Sequence, residues 1–347
     1  MSLVDIKSMF KDELIKDFID KGYPKYRANQ VYSWLTKGVT SFDEMSNIPK
    51  SMRDSMKDIY YIANAMIEKK LISKHDETQK YLFKLNDGEF IESVLMKYKY
   101  GYTICISTQV GCKMGCKFCA TGKSGFSRNL TPSEMLAQIQ SAQIDNNIRI
   151  SNIVLMGMGE PLDNYDNVIK FLKLVSSEDG INIGMRHISL STCGIVNKIY
   201  DLANEQFQLT LSISLHAPND EIRNRTMPIN KKFNIEELLK ACRFYIEKTN
   251  RRISFEYAMI SGVNDSDECA KELAKRLSSM LCHVNLIPVN SAGNKENEYQ
   301  KSSKERLTRF GQILSKAGIP ATVRRTLGSD INASCGQLRR NIENKEV

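Results

Sequence analysis

The chain has 347 residues, 41% of them hydrophobic, and a formal net charge of +9 at pH 7. This composition excludes a wholly disordered chain, and the excess of basic residues favours a polyanionic partner. The first residues lack the basic-then-apolar pattern of a signal peptide, and no apolar run is long enough for a bilayer, so we expect a cytoplasmic protein without membrane contact.

Short helices are predicted for residues 1–65. Leu14, Phe18 and Ile19 recur at helical spacing, and a Gly-Tyr-Pro sequence at residues 22–24 ends that helix. The next helix is predicted near residues 27–35, where we expect Trp34 to lie in a small helical core. We therefore predict a helical N-terminal domain.

A β-hairpin is predicted next. The strand-like runs 81–85 and 90–96 flank Asn86-Asp87-Gly88, a sequence typical of a tight hairpin turn. We assign residues 66–100 to a hairpin extension that links the helical domain to the rest of the chain.

From about residue 100, strand-like and helix-like stretches alternate. Strands are predicted at 103–108, 152–158, 187–192, 208–215, 252–260, 282–289 and 321–325, with helices between them near 131–147, 165–177, 234–248, 266–280 and 302–317. This alternation is typical of parallel βαβ units, whose right-handed crossovers would curl the sheet towards a barrel. The predicted fold class is therefore α/β, with its chemistry at the C-terminal strand ends of a core over residues 101–347.

A cysteine triplet is the most informative motif. Cys112, Cys116 and Cys119 form a C-x3-C-x2-C pattern just after a strand-like run. Three thiolates can hold three corners of a [4Fe–4S] cluster and leave one iron open, whereas electron-transfer clusters take four cysteines. The spacing resembles that of radical SAM enzymes, in which the open iron binds S-adenosylmethionine (SAM) and the cluster cleaves it to a radical. The alternative, zinc, prefers four ligands, and no fourth Cys or His follows closely.

Further polar motifs follow the later predicted strands. Residues 157–161 form a glycine-rich turn that ends in Glu160 and Pro161, and Glu160 could accept a hydrogen bond from an ammonium group. The segments 191–194, 212–218 and 285–290 supply hydroxyl, imidazole and amide groups at later strand ends. Each segment alone also fits an ordinary polar turn.

Together these strings resemble one family, the dual-specificity radical SAM RNA methyltransferases, over nearly the whole chain. The matching motifs are Gln109–Cys112, Gly157–Pro161, Ser214–Ala217, Met227–Asn230, Val263–Asp265, Val284–Pro288, Ser334–Leu338, Tyr26-Arg27 and Gln30. The resemblance implies a partial (β/α)6 barrel and methylation of C2 of an adenosine in 23S rRNA, at the peptidyl-transferase centre, and of adenosine 37 in tRNA. It also implies a [4Fe–4S] cluster and two SAM molecules per turnover.

The resemblance further implies roles for individual residues. Cys335 would carry the methyl group, Glu92 would remove the C2 proton, and Cys105 would attack Cys335 and leave a disulfide. Cys112, Cys116 and Cys119 would hold the cluster. The residues that would bind SAM are Gly159, Glu160, Ser191, Ser214, Leu215, His216 and Asn290. The small, polar residues 329–334 suit a mobile carrier segment, and the remaining cysteines, at positions 193, 242, 269 and 282, are predicted to be packing residues.

The implied partners are 23S rRNA, tRNA and a low-potential electron donor such as flavodoxin or ferredoxin, and we expect a monomer. Basic residues near the motifs are candidates for phosphate contacts: Lys25, Arg27, Lys37, Lys97, Lys99, Arg128, Arg324, Arg325, Arg339 and Arg340. Tyr23, Tyr26 and Tyr32 are interleaved with the N-terminal basic residues and could stack on unpaired bases.

Three alternatives remain at this point. The first is the sister activity at adenine C8, associated with antibiotic resistance; Pro161 favours C2, because the C8 group typically has alanine there. The second is a non-catalytic iron–sulfur RNA-binding protein, and the third is a zinc-stabilised RNA-binding module.

Overall fold

The N-terminal region forms a helical unit with its own apolar cluster. The computed structural model describes residues 3–290 and 299–338. The unit consists of strand β1 (Val4–Asp5), helices α1 (Lys11–Asp20), α2 (Lys25–Thr36) and α3 (Lys50–Lys57), and strand β2 (Tyr60–Tyr61), which pairs in parallel with β1. Leu14 and Phe18 lie in the cluster, Ile19 is exposed, and Trp34 packs at its edge with Nε1 donating to Asn47 Oδ1 at 2.7 Å.

A sheet of ten strands forms the rest of the core. Its strands are β3 (Met66–Ile72), β4 (Gln79–Lys84), β5 (Phe90–Tyr98), β6 (Gly101–Cys105), β9 (Ile150–Leu155), β10 (Ile188–Thr192), β11 (Thr210–Ser214), β12 (Ile253–Met259), β13 (Cys282–Pro288) and β14 (Ala321–Val323). A separate antiparallel ribbon pairs β7 (Gln109–Gly111) with β8 (Phe126–Asn129). From β6 to β14 the sheet strands run parallel in chain order, which confirms the predicted barrel-type α/β fold.

Helices connect the parallel strands. They are α4 (Ala120–Lys123), α5 (Pro132–Asn146), α6 (Tyr165–Ser176), α7 (Val196–Asn204), α8 (Asp220–Thr226), α9 (Ile235–Thr249), α10 (Asp267–Leu277) and α11 (Lys304–Lys316). The five predicted helices are present. The short helices α4, α7 and α8 were not predicted, because α4 spans only four residues, α7 directly follows a polar turn and α8 is dominated by charged residues.

The hairpin predicted within residues 66–100 is present as β4 and β5, and it continues the barrel sheet. β5 pairs antiparallel with β6, β4 with β5, and the additional strand β3 with β4. β3 escaped prediction because its side chains are largely exposed and do not alternate. Val94 on β5 lies opposite both Lys80 on β4 and Cys105 on β6, so these three side chains share one face of the sheet.

In the portion of the chain that the structure describes, no helix combines the length and apolarity needed to cross a membrane.

Candidate active site

A cavity lies at the C-terminal ends of the parallel strands. Its volume is about 180 Å³, and it opens to solvent. It gathers most of the predicted site residues: Cys112, Cys116, Cys119, Gly159, Glu160, Ser191, Ser214, His216, Asn290 and Cys335. The strand-end motifs, scattered along the sequence, therefore meet in one place.

The three-cysteine loop is held by the β7–β8 ribbon. Cys112 N donates to the Gly125 carbonyl at 2.8 Å, and Cys119 N donates to the Cys116 carbonyl at 3.2 Å. Gly111 makes this closure possible, because it has a φ of +79° and a Cβ there would lie 2.0 Å from the Gly125 oxygen. The loop is thus a defined turn, with all three cysteines in the cavity wall.

The donor set fits an iron–sulfur cluster better than a single metal ion. Burial raises the pKa of the Cys112 thiol to about 12 and also raises that of Cys116, so a cationic group is needed to keep these sulfurs as thiolates. Among the described residues, no three Cys, His, Asp or Glu side chains group around one ion position. Zinc prefers four ligands, whereas three thiolates can hold three corners of a cubane cluster.

The glycine-rich turn packs against the strand before the cysteine loop. A Cβ on Gly157 would lie 2.5 Å from the Ile106 oxygen, and one on Gly159, whose φ is +103°, would lie 2.6 Å from the Gln109 Cβ. These glycines therefore permit close packing within the protein and bring Glu160 to the cavity.

Glu160 is a buried carboxylate in the wall of the cavity. Its Oε1 accepts from Leu162 N at 3.0 Å and its Oε2 from Cys193 N at 2.7 Å. Burial nevertheless raises its pKa, and the carboxylate also accepts hydrogen bonds from the side chains of Thr192 and Cys193. A ligand ammonium would compensate this buried charge, so the geometry is compatible with the predicted contact to SAM.

The ends of β10 and β11 supply Ser191, Ser214 and His216. His216 Nδ1 accepts from Ala258 N at 2.8 Å, which leaves Nε2 as the hydrogen-bearing nitrogen. Burial lowers the pKa of His216 to about 3, so the ring is neutral at physiological pH. Leu215 differs from its prediction: its side chain lies in the hydrophobic core and is absent from the cavity lining.

The sequence missed two contributors to this wall. Cys193, predicted to be a packing residue, lies in the cavity and contacts Glu160. Arg223 is fully buried behind it and donates to the carbonyls of Cys193 and Leu215, at 2.6 and 3.1 Å, and to Asn230 Oδ1 at 2.9 Å. The role of Arg223 becomes visible only when the strand ends are seen together in the fold. In the sequence, the one indication was its proximity to the Met227–Asn230 motif.

Cys105 and Cys335 line a second, smaller cavity that shares residues with the first. The residues that line both cavities are Cys119, Met156, Gly157, Arg324, Cys335 and Gly336. Cys105 and Val94 line only the smaller cavity. Cys335 is exposed, whereas Cys105 is buried and burial raises its pKa to about 12. The described cysteines are all free thiols, so the implied disulfide is not formed in this structure.

Glu92 lies on the same face of the sheet as Cys105. It precedes Val94 by two residues on β5, and its side chain is 12% exposed. Its Oε1 is 2.8 Å from Lys80 Nζ, and its backbone N lies 3.3 Å from Met158 Sδ. The barrel sheet thus presents Glu92, Cys105 and Lys80 towards the segment that contains Cys335.

Residues 328–336, which we term the carrier segment, are anchored at several points. Asp76 accepts from Gly328 N at 2.9 Å, Asp330 accepts from Ser73 Oγ at 2.7 Å, and Asn290 Nδ2 donates to the Cys335 carbonyl at 3.2 Å. The small, polar stretch that suggested mobility is therefore docked in this conformation.

The candidate RNA contacts differ in their surroundings. Arg324 lies in the cavity wall, with one nitrogen 3.4 Å from Glu256, rather than on an open surface. Arg128 is paired with Asp87 and Glu134 at 2.7 and 2.8 Å. Lys97 is paired with Glu77 at 3.0 Å. Arg339 and Arg340 lie outside the described residues.

Two family models match this chain. "Radical SAM superfamily" matches residues 106–277, and "Ribosomal RNA large subunit methyltransferase N-terminal domain" matches residues 4–62. The "Crystal Structure of a radical SAM methyltransferase from Sphaerobacter thermophilus" superposes with a TM-score of 0.93 at 43% identity and covers 97% of this chain and 100% of that one.

Curated relatives match over nearly the full length. "Probable dual-specificity RNA methyltransferase RlmN" of Clostridium novyi (strain NT) is 57% identical over 95% of this chain and 96% of its own. The protein of the same name from Alkaliphilus oremlandii (strain OhILAs) is 55% identical over 98% of each chain. The resemblance seen in the sequence motifs is thereby confirmed, and the chain belongs to the family of dual-specificity radical SAM RNA methyltransferases.

Proposed function

We propose that this protein methylates C2 of an adenosine in the peptidyl-transferase centre of 23S rRNA and of adenosine 37 in tRNA. The observation that supports this most strongly is the placement of Cys335 and Cys105 in adjoining cavities beside the three-cysteine loop. Two thiols beside the cluster loop would supply the methyl carrier and the resolving thiol that this reaction needs. The curated relatives, named as dual-specificity RNA methyltransferases, agree with this proposal.

Cys112, Cys116 and Cys119 would hold the cluster, and Glu160, Ser191, Ser214, His216 and Asn290 would surround SAM. When bound, these groups supply the methyl group, the hydrogen-abstracting radical and a path for single electrons. Neutral His216 offers an Nε2–H donor, and Glu160 offers an acceptor for an ammonium group.

The protein's thiols and carboxylate would carry the methyl transfer. The sulfur of Cys335 takes a methyl group, and this group would lose one hydrogen atom to the SAM-derived radical. The methyl carbon then bonds to adenine C2, Glu92 accepts the C2 proton, and the one electron released would pass to the bound cluster. Cys105 then gives up its thiol proton as its sulfur attacks the Cys335 sulfur. The sulfur–carbon bond breaks, its electron pair stays on carbon, and one proton completes the new methyl group. The resulting disulfide needs two electrons from a dithiol reductant before the next cycle.

Cysteine variants test this proposal. We expect Cys335→Ala to retain the cluster and SAM cleavage but to form neither RNA adduct nor methylated RNA. Cys105→Ala should accumulate a protease-sensitive protein–RNA adduct. Cys269→Ala, which removes a half-buried thiol from α10 outside the cavity, is the matched control and should remain active. Methylated RNA made by Cys335→Ala would contradict the carrier role.

A further inference from the structure

A lysine ammonium joins the carboxylate of Glu92 to the carrier segment. Lys80 Nζ lies 2.8 Å from Glu92 Oε1 and donates to the Asn332 carbonyl at 3.2 Å. Lys80 is only 9% exposed. The mechanism described above gives this buried cation no role.

The strand register explains why Lys80 reaches both partners. Lys80 lies opposite Val94, and Leu82 lies opposite Glu92, so Lys80 and Glu92 are diagonal neighbours on one face of the sheet. Asn332 approaches that face from the carrier segment, three residues before Cys335. The pairing of β4 with β5 therefore fixes the distance between the carboxylate and the carrier.

A contribution to folding stability does not by itself account for the buried Lys80–Glu92 ion pair. Burying two opposite charges costs solvation energy that their attraction only roughly offsets, and apolar residues of similar size often stabilise a fold as well. An isolated buried carboxylate, in contrast, tends to take up a proton and lose its basicity. The Lys80 ammonium therefore favours the ionised form of the Glu92 carboxylate, which is the form that can accept a proton.

We propose that Lys80 is a positioning residue. It keeps the Glu92 carboxylate ionised and holds it at a fixed position relative to the carrier segment. This inference rests on the proposed function, in which Glu92 accepts the C2 proton. Because Asp76, Ser73 and Asn290 also anchor the carrier segment, loss of Lys80 leaves Cys335 docked. The proton-removal step is therefore the step that depends on Lys80.

The test compares Lys80→Met with wild type, Lys80→Arg and the control Lys70→Met. Lys70 is a partly buried lysine on the neighbouring strand β3, and its ammonium pairs with Asp145 at 2.6 Å, away from the cavity. Reconstituted proteins are incubated anaerobically with SAM, reductant and a 23S rRNA fragment. Four quantities are measured: 5′-deoxyadenosine, S-methylated Cys335, protein–RNA adduct on denaturing gels, and methyladenosine.

For Lys80→Met we expect methyladenosine formation to fall at least tenfold while the adduct accumulates, even with Cys105 present. Its 5′-deoxyadenosine and its Cys335 methylation should stay within about twofold of wild type. Lys80→Arg should recover most of the product, and Lys70→Met should behave as wild type. If Lys80→Met does not fold, Lys80→Gln, which keeps a donor for Asn332 without the charge, should give the same pattern.

Two results would overturn the inference alone: normal product from Lys80→Met, or a parallel loss of Cys335 methylation and product, which would indicate a purely structural role. If wild type itself makes no methyladenosine, the proposed function fails and this inference falls with it.

Discussion

Replacement of Glu160 by Gln probes how the cavity would recognise SAM. The carboxylate accepts two backbone N–H groups, from Leu162 at 3.0 Å and Cys193 at 2.7 Å. The amide of Gln can serve only one of them and turns its NH2 towards the other. It also removes the negative charge that we propose faces the ammonium group of SAM.

The expected magnitude follows from these contacts. A hydrogen bond to a charged group contributes about 1.5–3 kcal/mol, so loss of the contact to the ammonium should raise the Kd for SAM about 10- to 150-fold. The backbone N–H that loses its acceptor should cost about 1–3 kcal/mol of unfolding free energy. The Kd is measured by anaerobic equilibrium dialysis on cluster-loaded protein.

A matched control separates recognition from folding. Glu134→Gln alters another buried carboxylate, which accepts from Thr131 N at 2.9 Å and pairs with Arg128 outside the cavity. It should lower stability without changing the Kd for SAM. Unchanged SAM affinity in Glu160→Gln, with the cluster intact, would refute the role that we give to Glu160.

Two further predictions concern the cluster loop and the strand ends. Gly111→Ala should abolish cluster loading, measured by iron content, because its Cβ would meet the Gly125 oxygen at 2.0 Å; Gly125→Ala, also at positive φ but with nothing within 4 Å, should load normally. Burial lowers the pKa of His216 from its ordinary value near 6.5 to about 3, so the unfolded state binds the extra proton and stability falls as pH drops from 6.5 towards 3. Between pH 7 and pH 5.5 wild type should lose about 1 kcal/mol more than His216→Gln in urea unfolding, and equal losses would contradict a buried neutral ring.

The strand and helix pattern of the barrel could be predicted because long apolar strands alternate with amphipathic helices. The cysteine triplet and the strand-end motifs likewise identified most of the cavity lining, since parallel strands end at one edge of the sheet. What the sequence could not supply was the pairing across β4, β5 and β6. That register alone brings Lys80, Glu92 and Cys105 to one face.

The sequence also offered no guide to the roles of residues whose contacts lie far away along the chain. Cys193 looked like a packing thiol because nothing nearby in sequence shows that it meets Glu160, 33 residues earlier. Arg223 gave no signal in an ordinary charged helix, yet it is buried against strand-end carbonyls. Leu215 was assigned to the cofactor by motif, but its side chain lies in the hydrophobic core just beyond the end of β11.

The most direct test of the account is the identity of the methylated nucleoside. Reconstituted protein, SAM and a reductant are incubated anaerobically with a 23S rRNA fragment and, separately, with tRNA, and the digested RNA is analysed by mass spectrometry against 2- and 8-methyladenosine standards. We expect 2-methyladenosine in both RNAs. Formation of 8-methyladenosine would contradict the C2 assignment, and no methyladenosine from protein that cleaves SAM would contradict the RNA substrates.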